Sequence, residues 1–254
     1  MNRFVARCSA LAAAISACAT SLATADLLAL TPTRDATLYE SFDGSLANGA
    51  GRYLFAGVNN QVRVRRGLVH FDVAGMLPQG AIISDARLIL NLSQSSLGPA
   101  RAVSTHRAVT NWTAGTSDPE DPEGSGTTPT ANDATWLYSS ADGLGSGALW
   151  QTAGGDFTAS ASATVLTSAI GLYTWNSAEL LEEVRAFAEQ PSENYGWFLL
   201  GDESTFGTAR RFDSADSTTL GGIAPRLEIE YTVVPAPSAL ALLMLASGAR
   251  RRRR

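Results

Sequence analysis

Few residues in this chain can carry chemistry, and their types narrow it further. The 254 residues include two histidines, His70 and His106, and two cysteines, Cys8 and Cys18, and all 19 basic residues are arginine. Without lysine, Schiff-base chemistry is excluded, and so is a P-loop, whose phosphate cradle needs one. No H-E-x-x-H pair and no G-x-S-x-G elbow occurs, which removes common zinc-hydrolase and serine-hydrolase patterns. His70 and His106 both fall within strand-like runs and are read as structural strand histidines.

Carboxylates are plentiful in one stretch: Asp118, Glu120, Asp121, Glu123, Asp133, Asp142 and Asp156. A spaced pair could hydrolyse a glycosidic bond, and a cluster with carbonyls could hold calcium. Asp118-Pro119-Glu120-Asp121-Pro122-Glu123 is read first as a solvated acidic loop. A calcium site completed by Asp133 or Asp156 is the alternative, and catalysis is the least supported use. The aromatics are the better lead. Trp112, Trp136, Tyr138 and Trp150, with Phe157, crowd the same stretch. Aromatic faces receive the C–H faces of sugar rings, so Trp112, Trp136, Tyr138 and Trp150 are the candidate ligand-binding residues. The competing reading makes them a mini-core beneath the loop. Trp175 and Trp197 are assigned to the main core. Arg210 and Arg211, adjacent on a strand, point to opposite faces; a sulfated or uronic-acid ligand is the sharper use of that pair.

The elements that must position these residues are mostly strands. Short apolar or alternating runs recur between Gly, Asn, Asp, Ser and Pro clusters, at 27–30, 37–39, 53–58, 67–73, 86–92, 102–109, 160–166, 196–200, 209–213 and 226–232. Leu88, Leu90 and Leu92 recur at every second position of Arg87-Leu88-Ile89-Leu90-Asn91-Leu92, and Leu227, Ile229 and Tyr231 alternate with Glu228 and Glu230. One helix stands out: Ser177 caps it, Leu180, Leu181, Val184, Phe187 and Ala188 share a face, and Pro191 ends it. The expected fold is all-β, a jelly-roll-like antiparallel β-sandwich with one short amphipathic helix over an edge or end. The strand-poor stretch from Thr110 to Ala159 is expected to be an ordered excursion, since three of the five tryptophans lie in it.

Both ends read as addresses. Arg3 and Arg7 precede an apolar stretch from Leu11 to Leu22, and Ala23-Thr24-Ala25 offers a cleavage site, so residues 1–25 are expected to be a secretory signal peptide. Ile15-Ser16-Ala17-Cys18 also fits a bacterial lipobox, with lipidation of Cys18 as the rival outcome. After Val234 come Pro235-Ala236-Pro237, an apolar segment from Ser238 to Ala249, and Arg250 to Arg254. Twelve helical residues would span ~18 Å, short of a ~30 Å hydrocarbon core. The order of these three parts resembles the bacterial PEP-CTERM sorting signal, with Ala236 where that family usually has Glu. The resemblance implies an exosortase-type partner acting on residues 233–254, transient membrane contact through the tail, and delivery to the cell surface or matrix. Between the two ends, twelve arginines face 24 acidic residues, a net charge of −12. That charge disfavours nucleic acid as a partner. With both cysteines in the leader, disulfides play no part in the fold.

Residues 26–232 are expected to form a single domain. Across 31–232 the runs, in order, resemble the DNRLRE-domain family of secreted carbohydrate-binding-module-like β-sandwiches. The resemblance is carried by Arg34-Asp35-Ala36-Thr37-Leu38, Asn48-Gly49, Arg66-Gly67-Leu68-Val69-His70-Phe71-Asp72-Val73, Leu77-Pro78-Gln79-Gly80-Ala81-Ile82, Trp112, Asn194-Tyr195-Gly196-Trp197 and Pro225-Arg226-Leu227. The enlarged segment 117–157 departs from the family pattern. The resemblance implies an exported, non-catalytic surface or extracellular-matrix protein that binds extracellular polysaccharide; calcium, motivated by the acidic stretch and the net charge of −12, is the one cofactor to consider. A polysaccharide-active hydrolase or lyase, and a purely structural surface protein, are the alternatives. The tail reading has a direct check: deleting residues 235–254 should release or mislocalise the protein on cell fractionation while its melting temperature stays the same. An unchanged distribution would refute the sorting role.

Overall fold

A computed structural model describes residues 25–95 and 98–233. Its strands, in chain order, are β1 (Asp26–Leu30), β2 (Arg34–Tyr39), β3 (Tyr53–Val58), β4 (Val64–His70), β5 (Ala81–Ser95), β6 (Arg101–Arg107), β7 (Tyr138–Ala141), β8 (Gly147–Leu149), β9 (Ala163–Thr167), β10 (Gly171–Trp175), β11 (Trp197–Leu200), β12 (Arg210–Asp213) and β13 (Arg226–Val233). The helices are a single turn, α1 (Val73–Met76), and α2 (Ala178–Glu189). All of the expected leader except Ala25, and all of the expected tail except Val233, lie outside the described residues.

Every strand pairing is antiparallel, and the architecture is an all-β sandwich curled along one side. One sheet centres on β5, with β10 along one edge and β13 followed by β12 along the other, and β1 outside β13. The second sheet runs β4, β11, β6, β9, with β2 on the free edge of β4. Strand β3 joins the two: Tyr53–Ala56 pair with β12, whereas Gly57 and Val58 pair with β4. Between the sheets lies the main core, including Leu54, Val69, Leu88, Leu90, Leu92, Trp197, Leu199, Phe212, Leu227 and Ile229. Trp175 donates its indole N–H to the Val103 carbonyl (2.8 Å) and packs edge-on to Phe212.

Helix α2 starts where Ser177 accepts the Leu180 N–H (3.0 Å). Leu180, Val184 and Phe187 enter the main core. Glu183 shares that buried face because the Trp197 indole N–H donates to its carboxylate (2.6 Å). Burial raises the Glu183 carboxyl above its ordinary range, against that hydrogen bond.

The second sheet is apolar on both faces. Along Trp197-Phe198-Leu199, Trp197 and Leu199 face the main core, and Phe198 faces outward with Leu68, Ala36 and Leu38. The segment between β6 and β9 covers that outer face. Trp112 and Trp150 fill the second core with Phe198, and Trp136 and Phe157 pack against it. Trp112 donates its indole N–H to the Tyr195 carbonyl and Trp150 to the Thr135 carbonyl, so neither N–H is left unmade. Trp150 and Phe157 both contact the Phe198 ring, at 5.7 and 4.9 Å between centroids. Gly155 sits so close that an added Cβ would lie 2.3 Å from Phe198.

Removing either buried indole leaves a large cavity beneath the segment. Trp112→Ala and Trp150→Ala should each lower unfolding free energy by about 3–5 kcal/mol, measured by guanidinium denaturation. A loss under ~1 kcal/mol would show that the outer face does not depend on this layer.

Candidate functional site

Register across four strands builds one row of side chains on the outside of the sandwich. On β3, Leu54 and Ala56 point into the main core, so Tyr53 and Phe55 point out. Arg211 on β12 lies directly across from Phe55, and Gln94 on β5 directly across from Arg211. On the other side of β3, Arg65 of β4 lies across from Gly57. With no side chain at Gly57, the row opens into a cleft of about 320 Å³ over Phe55, with Arg65 and Arg211 flanking it. Asn59 and Asn60 close one end, and Pro122 and Gly124 supply a wall.

The two guanidiniums are held by rings and carbonyls. Arg211 stacks on Tyr53, 3.8 Å from the ring centroid, and its buried Nε has no hydrogen-bond partner. Arg65 lies over Tyr39 at 4.7 Å and donates to the carbonyls of Gly124 and Val64. Burial lowers the Arg65 pKa from its ordinary value, yet arginine stays charged in proteins. Among the described residues no carboxylate lies within ion-pair distance of either group. Phe55 itself is 8% exposed and forms the apolar floor. The arrangement suits a ligand with an anionic oxygen pair above an apolar face.

The cleft wall is fixed by Glu123. Its carboxylate accepts the N–H groups of Arg52 and Tyr53, both at 2.9 Å, and the Asn48 side-chain amide. Arg52 pairs with Asp121 from the same loop. The expected solvated loop is therefore solvated only in part: Glu123 is 2% exposed, because β3 begins with two N–H groups that need acceptors. The other carboxylates are used the same way. Asp133 accepts from Gly115 and from Thr130, and Asp156 from Gln151, Thr152 and Thr110. Asp142 closes its turn by accepting from Leu144 and Ser146. Among the described residues no three acidic, histidine or cysteine groups converge to hold a metal ion.

Both histidines have both ring nitrogens engaged. His70 Nε2 donates to the Asn194 carbonyl (3.2 Å) and Nδ1 accepts from the Thr33 hydroxyl (2.6 Å). Burial holds the His70 pKa down at about 4, with the Arg34 charge adding to the shift. His106 Nδ1 donates to the Thr158 carbonyl and Nε2 accepts from Ser104.

The aromatics named from sequence divide. Trp112 and Trp150, at 0% and 5% exposed, turn their rings into the second core and offer no face to solvent. Trp136 is half-buried, with Arg66 5.0 Å above its ring. Arg66 is itself paired with Glu203. Tyr138 is half-buried on the β7–β8 hairpin, away from the cleft over Phe55. Of the arginine pair, Arg210 turns inward and is 2% exposed, and Arg211 reaches the cleft. Phe55, Arg65 and Gln94 were not singled out by sequence. The available signal was the alternation in Tyr53-Leu54-Phe55-Ala56, which puts two aromatics on one face.

No protein-family model matches the chain, and a search of curated proteins finds no match. Among the described residues no helix is long and apolar enough to cross a membrane.

One buried acid next to this layer gives a pH test. Asp35 on β2 is enclosed; its carboxylate accepts the Ala215 N–H at 2.7 Å. Burial, reinforced by the Asp216 and Glu123 carboxylates, pushes its pKa up to about 7. A raised folded-state pKa stabilises the protein below the unfolded value, and that contribution is lost as pH rises through about 7. Asp35→Asn, which keeps the acceptor oxygen, should gain on the wild type from pH 4 to pH 8 by on the order of 1–4 kcal/mol. The His70 contribution has the opposite sign but is common to both proteins. Parallel stability curves for the two proteins across that range would contradict the burial of an ionisable Asp35.

Proposed function

We propose that this chain is an exported, non-catalytic polysaccharide-binding protein of the cell surface or extracellular matrix, and that it takes a carboxylate-bearing sugar in the cleft over Phe55. The observation that carries this reading is the pair of guanidiniums, Arg65 and Arg211, with no carboxylate partner among the described residues, on either side of an apolar floor. Planar guanidinium groups recognise carboxylates in a two-pronged geometry that lysine cannot offer. Gln94, Asn59 and Asn60 add amide groups for sugar hydroxyls. The net charge of −12 over residues 26–234 works against anionic polymers in general, so the attraction is local to this arginine-lined face.

The non-catalytic part rests on where the acid–base groups are used. His70 and His106 are engaged at both nitrogens, and Glu123, Asp133 and Asp156 accept backbone N–H groups. Export rests on the leader pattern and the DNRLRE-like run order, and surface delivery on the PEP-CTERM-like tail and its exosortase-type partner.

The test is titration calorimetry of residues 26–234 with polygalacturonate and polymannuronate, beside a neutral glucan. Arg211→Gln should weaken uronate binding by about tenfold, on the scale of one charge-assisted contact, without moving the melting temperature. Binding should also weaken as salt rises. No uronate binding by the wild type would sink the proposed ligand, and release of reducing ends during incubation would overturn the non-catalytic reading.

A further inference from the structure

A second cavity lies on the same loop layer and belongs to none of the roles assigned so far. It has a volume of about 410 Å³ and is lined by Asp43, Ser45, Thr128, Tyr138 and Leu144, with three glycines among its walls. One large apolar side chain of the lining, and one that adjoins the lining in sequence, are almost bare to solvent. Leu144, itself part of the lining, is 91% exposed, and Phe42, next to the lining residue Asp43, is 99% exposed.

Neither side chain is left out for want of order around it. Leu144 is the tip of the β7–β8 hairpin, and Asp142 locks that tip by accepting the N–H groups of Leu144 and Ser146. Phe42 precedes a turn in which Asp43 accepts the Ser45 N–H at 3.1 Å. Tyr138 is fixed by donating its hydroxyl to the Gly145 carbonyl (2.9 Å). One tight turn thus holds Leu144 bare in the lining of a polar cavity and a second holds Asp43 there, with Phe42 its chain neighbour, and exposed apolar groups at a concave site mark binding surfaces. The polar lining decides the ligand. Hydroxyls from Ser45 and Thr128 and the carboxylate of Asp43 match sugar hydroxyls, and the bare phenyl ring matches the C–H face of a pyranose. Among the described residues no arginine lines this cavity, so it does not reproduce the first cleft.

The two cavities share the loop 122–129. Gly124 lines the first and Thr128 the second. Four residues of chain put the backbones of Gly124 and Thr128 at most about 14 Å apart, a span that a few sugar units cover.

We propose that the cavity between Phe42 and Leu144 is a second sugar subsite, which holds a pyranose ring by its C–H face and hydroxyls, and that one polysaccharide chain occupies it together with the arginine cleft. This rests on the polysaccharide reading above. Occupying both subsites makes the second contact intramolecular, so affinity grows with chain length.

The experiment is calorimetry of residues 26–234 with oligogalacturonate and oligomannuronate, from disaccharide to hexasaccharide, using wild type, Phe42→Ala with Leu144→Ser, and Arg211→Gln. The wild type should bind the hexasaccharide at least tenfold more tightly than the disaccharide. The Phe42/Leu144 variant should lose that gain and keep wild-type disaccharide affinity and melting temperature, because neither side chain packs in a core. Arg211→Gln should weaken both lengths. If the hexasaccharide binds and the Phe42/Leu144 variant binds it equally well, the second subsite is wrong and the arginine cleft stands. If the wild type binds no uronate of any length, both fall.

Discussion

The structure depends on one sheet that is apolar on both sides. Trp197-Phe198-Leu199 sends alternate rings into two different cores, and Leu68 and Val69 do the same one strand away. An antiparallel sheet in a small sandwich usually leaves one face to water. Here Phe198, Leu68, Leu38 and Ala36 would each lose the gain from burial, roughly 1.5–3 kcal/mol for a large side chain, if that face stayed open. The segment between β6 and β9 exists in its ordered form because it covers them. The tryptophans in it are anchors first, and that role takes two of them out of reach of any ligand.

This constraint also explains which parts of the molecule were legible. Helix α2 was, because a cap at Ser177, one apolar face and a stop at Pro191 coincide. Strands β5 and β13 were legible because apolar side chains recur at every second position, Leu88, Leu90 and Leu92 in one and Leu227, Ile229 and Tyr231 in the other. Strand β10 was not: it opens on Gly171, has five residues, and is defined by pairing with β5 far back in the chain. Strands β7 and β8 were not either, since Tyr138-Ser139-Ser140-Ala141 and Gly147-Ala148-Leu149 have little β propensity and pair because Asp142 closes the turn between them. The unbroken apolar run at 197–200 carried the sign of burial on both faces, but nothing in the sequence says which distant segment provides the cover.

The arginine cleft was illegible for a related reason. Gln94, Arg211, Phe55 and Arg65 come from four strands, and only register brings them into one row. Sequence could place Arg210 and Arg211 on opposite faces, which is how they lie, but could not tell which one would face the solvent. The inward one, Arg210, is buried at the start of β12, with its pKa lowered by desolvation. Arginine tolerates that burial better than lysine because its charge is spread over a plane that is weakly hydrated.

Glu123 connects the packing problem to the proposed binding role. Its side chain caps the start of β3, its carbonyl accepts the Tyr39 hydroxyl at 2.8 Å, and its neighbours Pro122 and Gly124 form the cleft wall. Burial raises the Glu123 carboxyl pKa, and the three donors on it pull the other way. Such a group costs stability unless every donor is in place, so the loop around it has one arrangement and not many. A wall fixed before the ligand arrives has no ordering entropy left to lose when it binds. The acidic run that sequence presents as a solvated loop thus also serves as the rigid side of a cationic cleft, with the Glu123 carboxylate turned toward the backbone N–H groups of Arg52 and Tyr53.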